Sequence, residues 1–129
     1  MKTFAFFLGR LAFGGFFLYN GINHFQNRQM LAQYAGSKNV SSPEMAVAVS
    51  GAMLTFGGIS IISGIKPTLG AATVATFLGV VSPKMHNFWT QDDAGQRMND
   101  TIHFSKNMAL LGAAVALMGV EEPWPISIG

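Results

Sequence analysis

Between Met45 and Ile65 the chain runs for 21 residues without a charged side chain. At about 1.5 Å per residue, a helix of that length crosses the roughly 30 Å hydrocarbon core of a bilayer. A soluble helix needs a polar face, and this stretch offers only hydroxyls. It is also dense in small residues, among them Gly51, Gly57, Gly58, Ser60, Ser63 and Gly64. Small residues at helical spacing let backbones approach closely in lipid. The stretch predicts a membrane span packed against neighbouring spans, and the rest of the chain is read around it.

Three further stretches fit the same architecture, giving spans near 3–24, 45–65, 68–88 and 101–120. The first resembles a secretory signal at its start, but Arg10 interrupts the apolar run and no small-residue cleavage site follows, so a retained span is expected. Its residues Arg10, Gly14, Phe17, Gly21 and His24 recur every three or four positions and form one stripe. Between spans one and two, Phe25, Met30, Leu31 and Tyr34 have helical spacing with polar residues between them. That pattern fits a short amphipathic helix on the membrane surface. Gly36 is expected to end it, and Ser42 and Pro43 to open the next span. Lys66-Pro67 leaves so short a turn that spans two and three must be antiparallel neighbours. Ala71, Ala75 and Gly79 continue the small-residue pattern in the third span, which Ser82-Pro83 kinks or ends. The expected fold is all-α: an integral membrane four-helix bundle with a short interfacial helix, forming a single transmembrane domain over residues 1–129.

Composition narrows the function. Charged residues make up 11% of the chain and the net charge is +2, which with no basic run argues against nucleic acid as a partner. The chain has no cysteine, so disulfide, thiol redox and iron–sulfur chemistry are excluded for it acting alone. No nucleophile–base pair, phosphate loop or paired intramembrane carboxylate is present, and no catalytic residue is assigned.

The polar stretch His86–Leu111 is where function is expected. Four spans bring His24, His86 and His103 to one side of the membrane and both termini to the other. His103, Lys106 and Asn107 share a helical face, and Asn20 lies one turn before His24. A metal site is not expected, because no H-x-x-x-H or E-x-x-H pair occurs. His24, His86, Trp89 and His103 are the candidates for binding a cofactor. Imidazoles at headgroup depth could donate to a quinone carbonyl, or serve as axial ligands of a tetrapyrrole inside the bundle. The competing reading is structural, with histidine, asparagine and lysine at span ends meeting headgroups or bonding across the bundle. Asp92, Asp93, Arg97 and Asp100 read as a solvated loop with local ion pairs.

The chain resembles the DoxX family of small four-helix bacterial membrane proteins. The resemblance rests on GRLAFGGFFLYNGINHF in the first span, YAGSKNVSSPEMAVAVSG leading into the second, and MHNFW with HFSKNMALLGAA towards the end. It implies a multi-pass protein of the bacterial inner membrane. Some relatives belong to thiosulfate:quinone oxidoreductases and others join redox-defence complexes. The function expected is that of a non-catalytic accessory subunit beside other integral membrane subunits, linked to electron transfer. A quinone-interacting oxidoreductase subunit is the alternative.

One contact is expected in particular. Arg10 lies roughly 9 Å inside the first span, and the acidic residues on its side of the membrane are Glu121 and Glu122. The guanidinium is expected to pair with them, or with carbonyls at the C-terminus of the fourth span, fixing span one against span four.

Overall fold

The α1 helix, Lys2–Gln26, buries four residues: Arg10, Gly14, Phe17 and Gly21. These are four of the five members of the stripe. The stripe packs on α3, Pro43–Ser63, at near-backbone contact. A Cβ on Gly58 of α3 would lie 2.6 Å from the Leu18 nitrogen and 2.7 Å from the Gly14 carbonyl oxygen of α1. Only glycine permits that approach. The computed structural model describes residues 2–128 and contains no strand among them.

Helix α2, Arg28–Ser37, connects α1 to α3 and lies against α3 with Ala32 and Ala35 buried. It runs past Gly36 and ends on Lys38, whose N–H bonds the Ala35 carbonyl. Pro43 opens α3 as its first residue after Ser42, and Gly64 closes it at φ +80°, where a side chain would be strained. Helix α4, Pro67–Met85, returns antiparallel along α3. Here Gly57 faces Val74 and Gly70, while Ile61, Ala71, Val74 and Leu78 fill the core. Gly79 is not part of this packing, since a Cβ there would meet nothing within 4 Å.

The second half of the chain departs from expectation at both ends of the polar stretch. Helix α4 stops at Met85, with Pro83 inside its last turn, rather than continuing through Phe88. A single 3-10 turn, Phe88–Thr90, then leads to α5, Ala94–Met118, which packs on α4. Helix α5 begins seven residues before position 101, because Asp93 caps it by accepting from the Gln96 N–H at 2.8 Å. Half of the supposed loop is therefore helix.

Among the described residues, two of the five α-helices, α1 and α3, are long and apolar enough to cross a membrane by themselves. Helices α4 and α5 do not reach that apolarity: α5 carries Arg97, Asp100 and Lys106 in its first half, and α4 carries Lys84, three threonines and a serine.

Candidate functional site

The C-terminus of α3 is the first centre of polar chemistry. A helix leaves its last four carbonyls without internal partners. Here the Ser60 carbonyl accepts from the Gly64 N–H at 2.9 Å, and the Ser63 carbonyl accepts from the Ile128 N–H at 2.9 Å. The remaining two are taken by Arg10: Nε donates to Ile61 at 3.0 Å and Nη2 to Ile62 at 3.0 Å. The same guanidinium donates to the carbonyls of Pro125 and Ile126 in the C-terminal tail. Phe6, Phe7 and Trp124 surround it, each ring centroid 5.3–5.6 Å from Cζ.

Arg10 is thus buried with four of its five N–H donors bonded, but not as expected. Glu121 and Glu122 are exposed and form no ion pair among the described residues, and the carbonyls it holds belong to the second span and the tail, not the fourth span. The electrostatic reasoning survives with a different helix. A helix C-terminus attracts a cation, and the glycine stripe that carries Arg10 packs on α3. Trp124, 2% exposed, anchors the tail under α1 through an edge-on contact with Phe6 at 5.2 Å.

The opposite end of the bundle holds a buried carboxylate. Asp100 is wholly inaccessible, and so does not belong to a solvated loop. Its Oδ2 accepts from Lys38 Nζ at 3.2 Å and from Gln96 Nε2 at 3.1 Å, and its Oδ1 accepts from His86 Nδ1 at 3.2 Å. The three donors from Gln96, His86 and Lys38 compensate the burial of this carboxylate. Because an ionised carboxylate only accepts, His86 must carry its proton on Nδ1. The His86 ring stacks on His103, 4.9 Å between centroids and 21° between planes. Burial chiefly lowers the His86 pKa, and His103 and Lys106 add to that against the opposing pull of Asp100. The cluster joins the C-cap of α2, the end of α4 and the first turns of α5.

The remaining candidates fall into separate places. His24 is apart from the other two histidines. Its Nδ1 bonds the Asn20 carbonyl at 2.7 Å, which leaves Nε2 as its open, accepting nitrogen. Asn20 in turn donates to the Phe16 carbonyl at 2.7 Å. Trp89 is exposed and packs edge-on against Phe88 and Phe104. The Lys106 ammonium lies 6.0 Å from the Phe16 ring, and Asn107 is buried. No group of histidines and carboxylates among the described residues could hold a metal ion.

His24 instead lines an apolar groove of about 410 Å³ between α3 and α4, roofed by α2. Leu31, Tyr34 and Ala35 come from the roof, Val47, Ser50 and Met53 from α3, and Phe77, Val80 and Lys84 from α4.

Asp100 and the groove are what sequence reasoning missed. The signal for Asp100 was the D-x-x-Q spacing of Asp93 and Gln96, a helix-start pattern that puts Asp100 one turn before His103 on the same face. Among known proteins, the DoxX family model matches residues 5–87. The match takes in Arg10, His24 and His86 and ends before α5. No curated protein and no solved structure matches the chain.

Proposed function

The chain belongs to the DoxX family, and from that premise we propose that it is a non-catalytic accessory subunit packed against a larger integral membrane complex concerned with electron transfer. The observation that carries this reading is the outer face of α5. Ser105, Ala109, Gly112, Ala113 and Ala116 are all exposed, and their separations of four, three, one and three residues form one small-residue stripe. A Cβ on Gly112 would meet nothing within 4 Å. The corresponding glycines between α1 and α3 are filled by this chain's own backbone, so α5 offers the open surface for a neighbouring helix. The link to electron transfer rests on what family membership implies. In this reading α1, α3, α4 and α5 are the four spans of a multi-pass inner-membrane protein, with α2 on its surface.

Gentle extraction from native membranes tests the reading. A stoichiometric membrane partner is expected to co-purify, and Gly112→Leu is expected to release it while the isolated chain keeps its helical content. A chain that purifies alone, holding quinone and turning it over, would replace this reading with the quinone-interacting one. The open Nε2 of His24 beside the groove, placed to accept from a quinol hydroxyl, is the feature that favours that alternative.

A further inference from the structure

The groove between α3 and α4 has a chemistry of its own, independent of what packs on α5. Its walls are almost wholly apolar, and the lining residues include one lysine, Lys84, and no carboxylate. The serine and threonine hydroxyls within it are committed to their own helices: Ser50 donates to the Ala46 carbonyl at 2.7 Å and Thr76 to the Ala72 carbonyl at 2.9 Å. They offer little to a polar ligand. Val49 and Val80 on its flanks are 53% and 68% exposed, so the groove opens sideways to the surrounding phase.

The position of α2 sets the depth. An amphipathic helix lying on a membrane sits at the boundary between headgroups and acyl chains. Tyr34 on α2 and Lys84 at the end of α4 therefore mark the headgroup level. From Lys84 the groove descends along Val81, Val80 and Phe77, about two turns of α4, or roughly 10 Å towards the bilayer centre. Lys84 forms no salt bridge among the described residues. A positive charge at the mouth and an apolar channel below match an amphiphile with an anionic head and a hydrocarbon tail.

We infer that the groove holds one acyl chain of an anionic phospholipid, with its phosphate at Lys84. The source is the bilayer around the protein, since the groove opens to it at Val49 and Val80. The occupant extends under α2 and against α3 and α4, which are joined covalently only at their other end, through residues 64–66.

Native mass spectrometry of the full-length protein in a mild detergent, titrated with dioleoyl phosphatidylglycerol or dioleoyl phosphatidylcholine, tests the assignment. One phosphatidylglycerol is expected to bind roughly fivefold more tightly than phosphatidylcholine, the preference that a single lysine supplies near anionic lipid. Lys84→Gln is expected to abolish the preference without abolishing binding. Ser50→Phe, or Ala46→Phe where the first does not fold, fills the channel and is expected to abolish binding of both lipids. Equal affinity of the native chain for the two lipids would overturn the inference. So would persistence of the phosphatidylglycerol adduct in a folded groove-filled variant, or a co-extracted quinone that phosphatidylglycerol fails to displace.

Discussion

Replacing Arg10 by methionine removes the guanidinium while keeping an unbranched apolar side chain of comparable reach. Four carbonyls lose their donor: Ile61 and Ile62 at the end of α3, and Pro125 and Ile126 in the tail. They do not suffer equally. The tail lies outside the helices and can swing its two carbonyls to water. Those of Ile61 and Ile62 are fixed by the helix, and no N–H follows to replace Arg10, because the Ile65 N–H is engaged by the Ser63 hydroxyl at 3.2 Å. Two stranded carbonyls at about 1–3 kcal/mol each give a cost of roughly 2–6 kcal/mol. For a chain of 129 residues that corresponds to a drop in Tm of roughly 10 °C or more. The tail should detach in the same variant, exposing Trp124. Circular dichroism on heating and tryptophan emission, both in a Trp89→Phe background, report the two effects. Arg10→Lys keeps the charge but not the planar fork, so it should recover only part of the loss. If Arg10→Met melted within about 2 °C of the parent with Trp124 emission unchanged, the account of α3 capping would be wrong.

Two glycines should respond in opposite ways. Gly58→Ala puts a Cβ 2.6 Å from backbone that cannot move aside, and should destabilise by about 1–3 kcal/mol, whereas Gly112→Ala enters open space and should be neutral or better by up to about 1 kcal/mol in the isolated chain. Equal Tm values for the two variants would refute the packing argument. At the histidine end, the lowered His86 pKa means that the unfolded chain takes up its proton first as pH falls. The contribution of His86 is therefore full above about pH 6.5 and is lost as pH falls towards the folded value. Tm should fall between pH 7.5 and 5.5, and His86→Asn, which retains a donor for Asp100, should flatten that slope. A chain more stable at pH 5.5, or an unchanged slope in the variant, would count against it.

Which parts of this were legible in the sequence follows from how local each cause is. The stripe of Arg10, Gly14, Phe17 and Gly21 could be read from spacing alone, because a helix face is fixed by its own periodicity. The partner of that stripe could not. Choosing α3 over α5 depends on Gly58 meeting Gly14 and Leu18 across two helices, and a carbonyl acceptor leaves no mark in sequence at all. Asp100 was hidden by a boundary. Placing the start of the last helix at 101 made the residue part of a loop, and loops expose their charges. Starting it at Ala94, under the Asp93 cap, turns Asp100 inward beside His86. The stacking of His86 on His103 likewise follows from α4 ending at Met85, which frees His86 to fold over the first turns of α5.

The two ends of the bundle also differ in what can change them. At the terminal end the charge is a guanidinium, which does not lose its proton in a protein, and its acceptors are backbone carbonyls, which do not titrate. That junction is insensitive to pH and holds α1, α3 and the tail together. At the other end the charge is a carboxylate whose donors include an imidazole and a lysine. Lys38 is the C-cap of α2, so its bond to Asp100 ties the far end of the groove's roof to α5. Loss of charge on Asp100, by substitution or strong acid, releases Lys38 first, since the Lys38 side chain is 12% exposed and can turn to water. The roof would then loosen while α1 and α3 stay packed. Exchange of whatever occupies the groove is therefore expected to be governed from Asp100, and to leave the Arg10 junction undisturbed.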